Sequence, residues 1–120
     1  MGKYDATFVA LKALFDPYVE RLTVTADGPT TYMLDGAFSP ALKRPMFFGG
    51  VRAGKTYVSL HLMPVYTNPE LMGRISDALR RRLHGKSCFN FTQPDPELFD
   101  ELRELLARGF VTYERLGYVK

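Results

Sequence analysis

The most constraining stretch of the chain runs from Met46 to Leu62, where two strand-like segments flank a glycine-containing turn. Gly49 to Thr56 match the nucleotide-binding pattern G-x-x-x-x-G-K-S/T letter for letter. That pattern holds phosphate where a helix follows it, because backbone N–H groups converge on the anion at a helix N-terminus. Tyr57 to Leu62 instead alternates aromatic or polar residues with aliphatic ones, which is typical of a strand. We therefore predict a β-hairpin with strands at 46–51 and 56–62 in place of a phosphate-binding loop.

Helical periodicity is found near both ends of the chain. Apolar residues recur at steps of three and four from about Asp5, the expected N-cap, to Val19. Pro17 is expected to end or kink this helix, because proline lacks an N–H donor. The last helix is expected to start at Asp95, a capping residue that proline and glutamate follow. Its apolar stripe continues past Gly109, which either ends the helix or lies within it.

The segments between these helices are short. Three further strands are predicted, at 22–26, 30–34 and 87–91. Residues 35–44 lack periodicity and are predicted to form a loop. Short helical pieces are expected to begin at Asn68 and at Ser76, the second ending near Leu83.

This order of elements predicts an α+β two-layer sandwich. The N- and C-terminal helices cover one face of a mainly antiparallel five-stranded sheet, and the other face is open. If the aliphatic residues of the fourth strand face the helices, then Tyr57, Ser59 and His61 project from the open face. Cys88 and Asn90 of the fifth strand are expected beside them. These residues form the predicted ligand-binding site.

Composition and charge narrow the classes of function. At 120 residues the chain has the size of one domain, 1–120. A lone cysteine leaves no internal disulfide, and the sequence has neither a signal-peptide apolar region nor an apolar run of membrane-spanning length, so a cytoplasmic location is expected. The 16 basic and 13 acidic residues are interspersed, which disfavours nucleic acid as a partner. Arg80 to Arg82 is a local exception that we interpret as the solvated face of a short helix.

Several stretches of the chain together carry a family resemblance: residues 47–55, residues 57–66, residues 85–91 with the string Gly-Lys-Ser-Cys-Phe-Asn-Phe, and the closing helix that holds Leu98 and Phe99. These stretches resemble the YdhG-like family of bacterial proteins of unknown function. The resemblance covers nearly the whole chain, and it implies a frataxin-like fold. It also implies iron binding as one function, since at least one member of the broader family is regarded as a frataxin-like iron chaperone.

His61 and Cys88 leave several chemistries open. An imidazole ligates metals and transfers protons near neutral pH, and a thiolate beside it can act as a nucleophile. A structural histidine and a buried cysteine are the common alternatives. The leading hypothesis is a non-catalytic binding domain for a small ligand, a metal ion or a protein partner; an iron-binding chaperone and a small enzyme that uses both residues are the alternatives. No particular cofactor is indicated, and a monomer or a homodimer is expected.

Overall fold

The computed structural model describes residues 4–119, which form one antiparallel sheet and a set of helices. The strands are β1 (Thr23–Asp27), β2 (Thr31–Ser39), β3 (Arg44–Ala53), β4 (Val58–Leu62), β5 (Leu83–His84) and β6 (Cys88–Phe91). The α-helices are α1 (Asp5–Ala13), α2 (Met63–Thr67), α3 (Asp77–Arg80) and α4 (Pro96–Arg115), and 3-10 helices cover Asp16–Arg21 and Pro69–Arg74. The strands are hydrogen-bonded in the order β1-β2-β3-β4-β6-β5. The α+β class predicted from the sequence is confirmed.

Six strands are present within residues 4–119, one more than the sequence pattern predicts. The additional strand is β5, in which Leu83 pairs with Phe89 and His84 pairs with Cys88. The pattern assigns these residues to the end of a short helix, but α3 already ends at Arg80. A two-residue strand carries no periodicity of its own, so its conformation depends on the neighbouring strand β6.

The predicted loop at 35–44 is too long, because β2 extends to Ser39 and β3 begins at Arg44, which leaves only a turn at 40–43. The two strands pair along this length, with a shift of register on each side of Asp35. Such bulges insert unpaired residues and interrupt the alternation of side chains between the two faces of a sheet. The alternation is the signal by which a strand is recognised in a sequence, and here it is lost.

The long first helix predicted from the sequence is two helices. α1 ends at Ala13, and Pro17 lies in the first turn of the 3-10 helix Asp16–Arg21. Proline is favoured in the first turn, where its missing N–H would have no helical partner. The break expected at Pro17 is therefore present, between the end of α1 at Ala13 and the start of the 3-10 helix at Asp16. The N-cap of α1 is Tyr4, and Asp5 occupies the first turn.

Helix α4 begins as predicted, since the Asp95 carboxylate accepts a hydrogen bond from the Leu98 N–H at 3.2 Å. It runs to Arg115, so Gly109 lies within it. Gly109 is buried, and a Cβ built on it would lie 3.1 Å from Cβ of Pro64. The glycine thus lets α2 approach α4 closely. Neither α4 nor any other helix within the described residues is long and apolar enough to cross a membrane.

The core lies between the sheet and the helices, with Phe48 of β3 at its centre. The Phe48 ring makes edge-to-face contacts with Phe15, which follows α1, and with Phe110 and Tyr113 of α4, at centroid distances of 6.1, 5.8 and 5.7 Å. The Tyr113 hydroxyl donates a hydrogen bond to the Phe47 carbonyl oxygen at 2.8 Å. Both terminal helical segments are therefore held on the same face of the sheet.

The hairpin predicted around the nucleotide-like motif is confirmed. Strands β3 and β4 pair antiparallel, and the turn between them is closed by a hydrogen bond from the Gly54 N–H to the Tyr57 carbonyl at 2.8 Å. Val58, Leu60 and Leu62 are buried, as the alternating pattern predicts. A strand follows the turn, so there is no helix N-terminus at which backbone N–H groups could converge on a phosphate.

Gly50 allows β2 and β3 to lie against each other, and its replacement gives a test of the packing. A Cβ built on Gly50 would press on the Tyr32 carbonyl oxygen and lie 2.9 Å from Met33 Cα. Because backbone atoms must move to make room, we expect Gly50→Ala to lower the free energy of unfolding by about 1–3 kcal/mol in urea denaturation. Gly73→Ala is the matched control, since a Cβ there meets nothing within 4 Å. Equal stability of the two variants would contradict this packing.

Candidate functional site

The strand register aligns the polar residues of the open face in two rows. In one row Gly50 of β3 lies opposite His61, His61 opposite Cys88, and Cys88 opposite His84. Directly opposed residues of antiparallel strands project from the same face. The predicted pair His61 and Cys88 is therefore brought together, and His84 is added to it.

The second row crosses the sheet from Arg52 to Ser59 to Asn90. The Ser59 hydroxyl donates a hydrogen bond of 2.6 Å to Oδ1 of Asn90, and both side chains are partly buried. Because Oδ1 accepts this bond, both N–H groups of the Asn90 amide remain as donors. The amide nitrogen makes no hydrogen bond with another side chain or carbonyl in the described part of the chain.

His61 and Cys88 are in contact but are not arranged as a nucleophile and its base. The Cys88 sulfur lies 3.2 Å from Nδ1 and 3.4 Å from Nε2 of His61, so it is nearly equidistant from the two nitrogens and aligned with neither. Burial raises the pKa of the Cys88 thiol, and a hydrogen bond from Ser87 only partly opposes this. Burial also lowers the pKa of His61, as does the charge of Arg52. At neutral pH the pair is a thiol beside a neutral imidazole.

These two rows form the floor of a groove of about 320 Å³. All five residues predicted for the site line it, and Tyr57, which is 40% exposed, stands at one end. The lining also includes residues that sequence reasoning did not select: Arg52, Gly54, Lys55, Thr56 and His84. Its cationic side chains are those of Arg52 and Lys55, and carboxylates are absent from this set of lining residues. The groove is polar and carries positive charge.

A second depression adjoins the groove and shares Tyr57, His84 and Asn90 with it. It adds Arg81 and Arg82 to the lining. The sequence cluster Arg80 to Arg82 is thus divided, because only Arg81 and Arg82 line this depression. Arg80 turns away from this face and donates a hydrogen bond to the Met72 carbonyl oxygen at 2.9 Å. Positive side chains therefore flank the open face on both sides.

The predicted hairpin did not indicate Arg52, because its first strand ends at residue 51. In the structure β3 extends to Ala53 and pairs Arg52 with Ser59, and opposed residues share a face. His84 was not indicated either, because it reaches the groove only through strand β5. A metal centre is not preformed here. Among residues 4–119, groups of three or more His, Cys, Asp or Glu side chains placed to hold a metal ion are absent.

Comparison with known proteins gives no relatives for this chain. Neither a family model, nor a curated protein, nor a solved structure matches it significantly. The resemblance to the YdhG-like family stays a prediction from the sequence. The function is therefore argued from the geometry and the charge of the groove.

Proposed function

We propose that this protein is a non-catalytic binding domain whose open sheet face holds a small anionic ligand, bearing a phosphate or carboxylate group. The observation that carries the proposal is the charge of the groove, where Arg52 and Lys55 stand among lining residues that include no carboxylate. Arginine presents a planar fork of N–H donors that matches the geometry of both anions. A cation would meet only repulsion from these side chains.

Neutral donors in the groove supply the rest of the site. The Asn90 amide has two N–H groups free, and the hydroxyl of Tyr57 belongs to a side chain that is 40% exposed. Such groups orient a ligand that charge alone would hold loosely. The volume of about 320 Å³ lies near the lower end of the range for small-molecule sites, about 300–1,000 Å³. A small ligand fits this size better than a segment of protein.

The charge of the open face also disfavours its use as a contact between two copies of the chain. A symmetric dimer through this face would bring two sets of Arg52 and Lys55 together without carboxylates in the lining to pair with them. If the protein is a homodimer and not a monomer, we expect it to use another surface.

We further propose that the chain is YdhG-like with a frataxin-like fold. Support comes from the order of the elements, with a helix before and a helix after the strands and both packed on one face. The iron-chaperone alternative has less support. Iron needs several oxygen ligands at one point, whereas Asp5 lies on α1 and Asp16 and Glu20 lie on the following 3-10 helix. These three carboxylates are not part of a metal-binding group in the described residues.

The enzyme alternative rests on the 3.2 Å contact between the Cys88 sulfur and Nδ1 of His61. A catalytic thiol needs a lowered pKa, which a cationic partner or a helix N-terminus provides. Burial shifts the pKa of Cys88 in the opposite direction. Binding is for this reason preferred over nucleophilic catalysis.

The binding function can be tested with inorganic pyrophosphate as the probe, titrated at constant ionic strength and followed by amide chemical shifts. We expect saturable shifts in the groove, at Lys55, Tyr57 and Asn90. Arg52→Gln should weaken the affinity about tenfold, which corresponds to about 1.4 kcal/mol and is near the lower end for a hydrogen bond to a charged group. Arg44→Gln is the matched control, because it removes the same charge from the other end of β3.

Equal losses of affinity in Arg52→Gln and Arg44→Gln would mean that the net charge of the protein, and not the groove, accounts for the binding. Asn90→Asp adds a separate test, since it keeps the shape of the side chain while placing a carboxylate in the groove. We expect it to abolish binding. Shifts that do not saturate in the wild type would reject the proposed site.

The pKa of His61 should report the bound anion. Burial and the charge of Arg52 lower this pKa, and an anion beside the ring favours the protonated form and raises it. By linkage, the affinity for the anion should rise as the pH falls through the pKa of His61. Sulfate is the suitable probe because its charge is constant over this range. The measurement is an NMR titration of the ring, with sodium chloride at equal ionic strength as control; identical His61 titrations in the two salts would count against the site.

Alkylation of Cys88 separates the binding domain from the enzyme. Because burial raises the pKa of the thiol, native protein should react with iodoacetamide at neutral pH more slowly than the urea-unfolded chain, whose only cysteine is the same residue. The rate should still be rising with pH above the ordinary thiol range. His61→Gln should change it little. If the native protein instead reacts faster than the unfolded chain, and His61→Gln removes that difference, the result would support the enzyme alternative.

A further inference from the structure

A second groove, of about 510 Å³, lies on the helical side of the molecule. It runs between the 3-10 helix Pro69–Arg74 and the C-terminal half of α4. Its lining shares no residue with the groove of the open sheet face. The two are therefore separate candidate sites.

Arginine dominates the polar part of this second groove. Arg74, Arg108 and Arg115 line it, and Glu70 is the carboxylate among the described lining residues. Within residues 4–119 none of the three guanidinium groups forms an ion pair with a carboxylate. Three positively charged residues and one negatively charged residue thus line this cavity.

Arg108 carries a more specific signal. Its Nε is buried and has no hydrogen-bond partner among the described residues. A guanidinium cannot lose its proton in a protein, and an unpaired buried donor destabilises the fold. The Nε–H is closed to solvent in this conformation, so it is the terminal guanidinium nitrogens of this partly buried side chain that are available to a bound anion.

The favourable interaction of cations with a helix C-terminus does not explain this arrangement. It accounts for Arg115, which lies in the last turn of α4. Arg74 likewise lies in the last turn of its own 3-10 helix, but Arg108 lies two turns before the end of α4, where the effect has decayed.

The rest of the groove is apolar. Leu71, Ala107 and Val111 form its wall, and Val111 is 48% exposed although it is a large aliphatic residue. The one hydroxyl, that of Thr112, already donates to the Arg108 carbonyl oxygen at 2.9 Å. A ligand here meets guanidinium groups at its charged end and aliphatic side chains along its body.

We propose that this groove is a binding site for a small amphiphilic anion, a molecule with one carboxylate or similar head and an apolar body. The head pairs with Arg108 and with Arg74 or Arg115, and the body covers Leu71 and Val111. Arginine forks bind carboxylates in two parallel hydrogen bonds, and burial of the apolar body adds affinity that a purely polar anion lacks.

Octanoate is the probe for this site, titrated into the whole protein and followed by amide chemical shifts. We expect saturable shifts at Leu71, Arg108 and Val111. Octylamine, which has a chain of equal length and the opposite charge, should not bind there, and acetate, which has the head alone, should bind at least about tenfold more weakly. Arg108→Met keeps much of the aliphatic stem and should weaken octanoate binding at least about tenfold. Arg103→Met is the matched control on the exposed face of α4.

Arg74→Met is a second variant, on another element and with an exposed side chain, and it too should weaken binding. It keeps the test decisive if Arg108→Met disturbs the fold. Octanoate binding that neither variant weakens, or equal binding of octanoate and octylamine, would overturn the proposal. So would shifts confined to the open sheet face or an absence of saturation.

Discussion

The packing of aromatic rings around Phe48 is the interaction on which the rest of the structure depends. Phe15, which follows the first helix, and Phe110 and Tyr113 of α4 all meet this one side chain on β3. Edge-to-face contacts of this kind add to the free energy of simple apolar burial. Because segments from both ends of the chain meet at Phe48, both cover the same face of the sheet. The opposite face carries the polar residues of β4 and β6, and the candidate groove lies there.

The distribution of charged residues over the molecule makes this groove positively charged. Some carboxylates outside the groove are paired with nearby cations, as in the contacts of Asp27 with Lys12 and of Glu114 with Arg21, at 3.0 and 2.6 Å. Exposed pairs of this kind add little to stability. Arg52 and Lys55, in contrast, have no carboxylate beside them among the residues that line their groove. A partly buried, neutral His61 beside them adds a group whose proton affinity would respond to a bound anion.

The two grooves would select different ligands by the same kind of charge. On the sheet face, cationic side chains are accompanied by an amide, hydroxyl groups and imidazoles, which suits a compact polar anion. Between α4 and the 3-10 helix Pro69–Arg74, the arginines are accompanied by aliphatic side chains, which suits an anion with an apolar body. In both, the anion would be held by side chains. The nucleotide-like motif, in which backbone groups of a loop would hold phosphate, forms the end of one strand and the turn before the next.

The sequence by itself determined the elements whose signal is local and periodic. Alternation in β4 placed Ser59 and His61 on the open face, and capping at Asp95 placed the start of α4, because these patterns depend only on near neighbours in the chain. Tertiary structure alone decided the rest. The bulged length of β2 and the two-residue strand β5 exist because neighbouring strands supply their hydrogen bonds. Arg108 became a candidate ligand-binding residue for the same reason, since only the packing of α4 beside the 3-10 helix Pro69–Arg74 forms the groove that it lines.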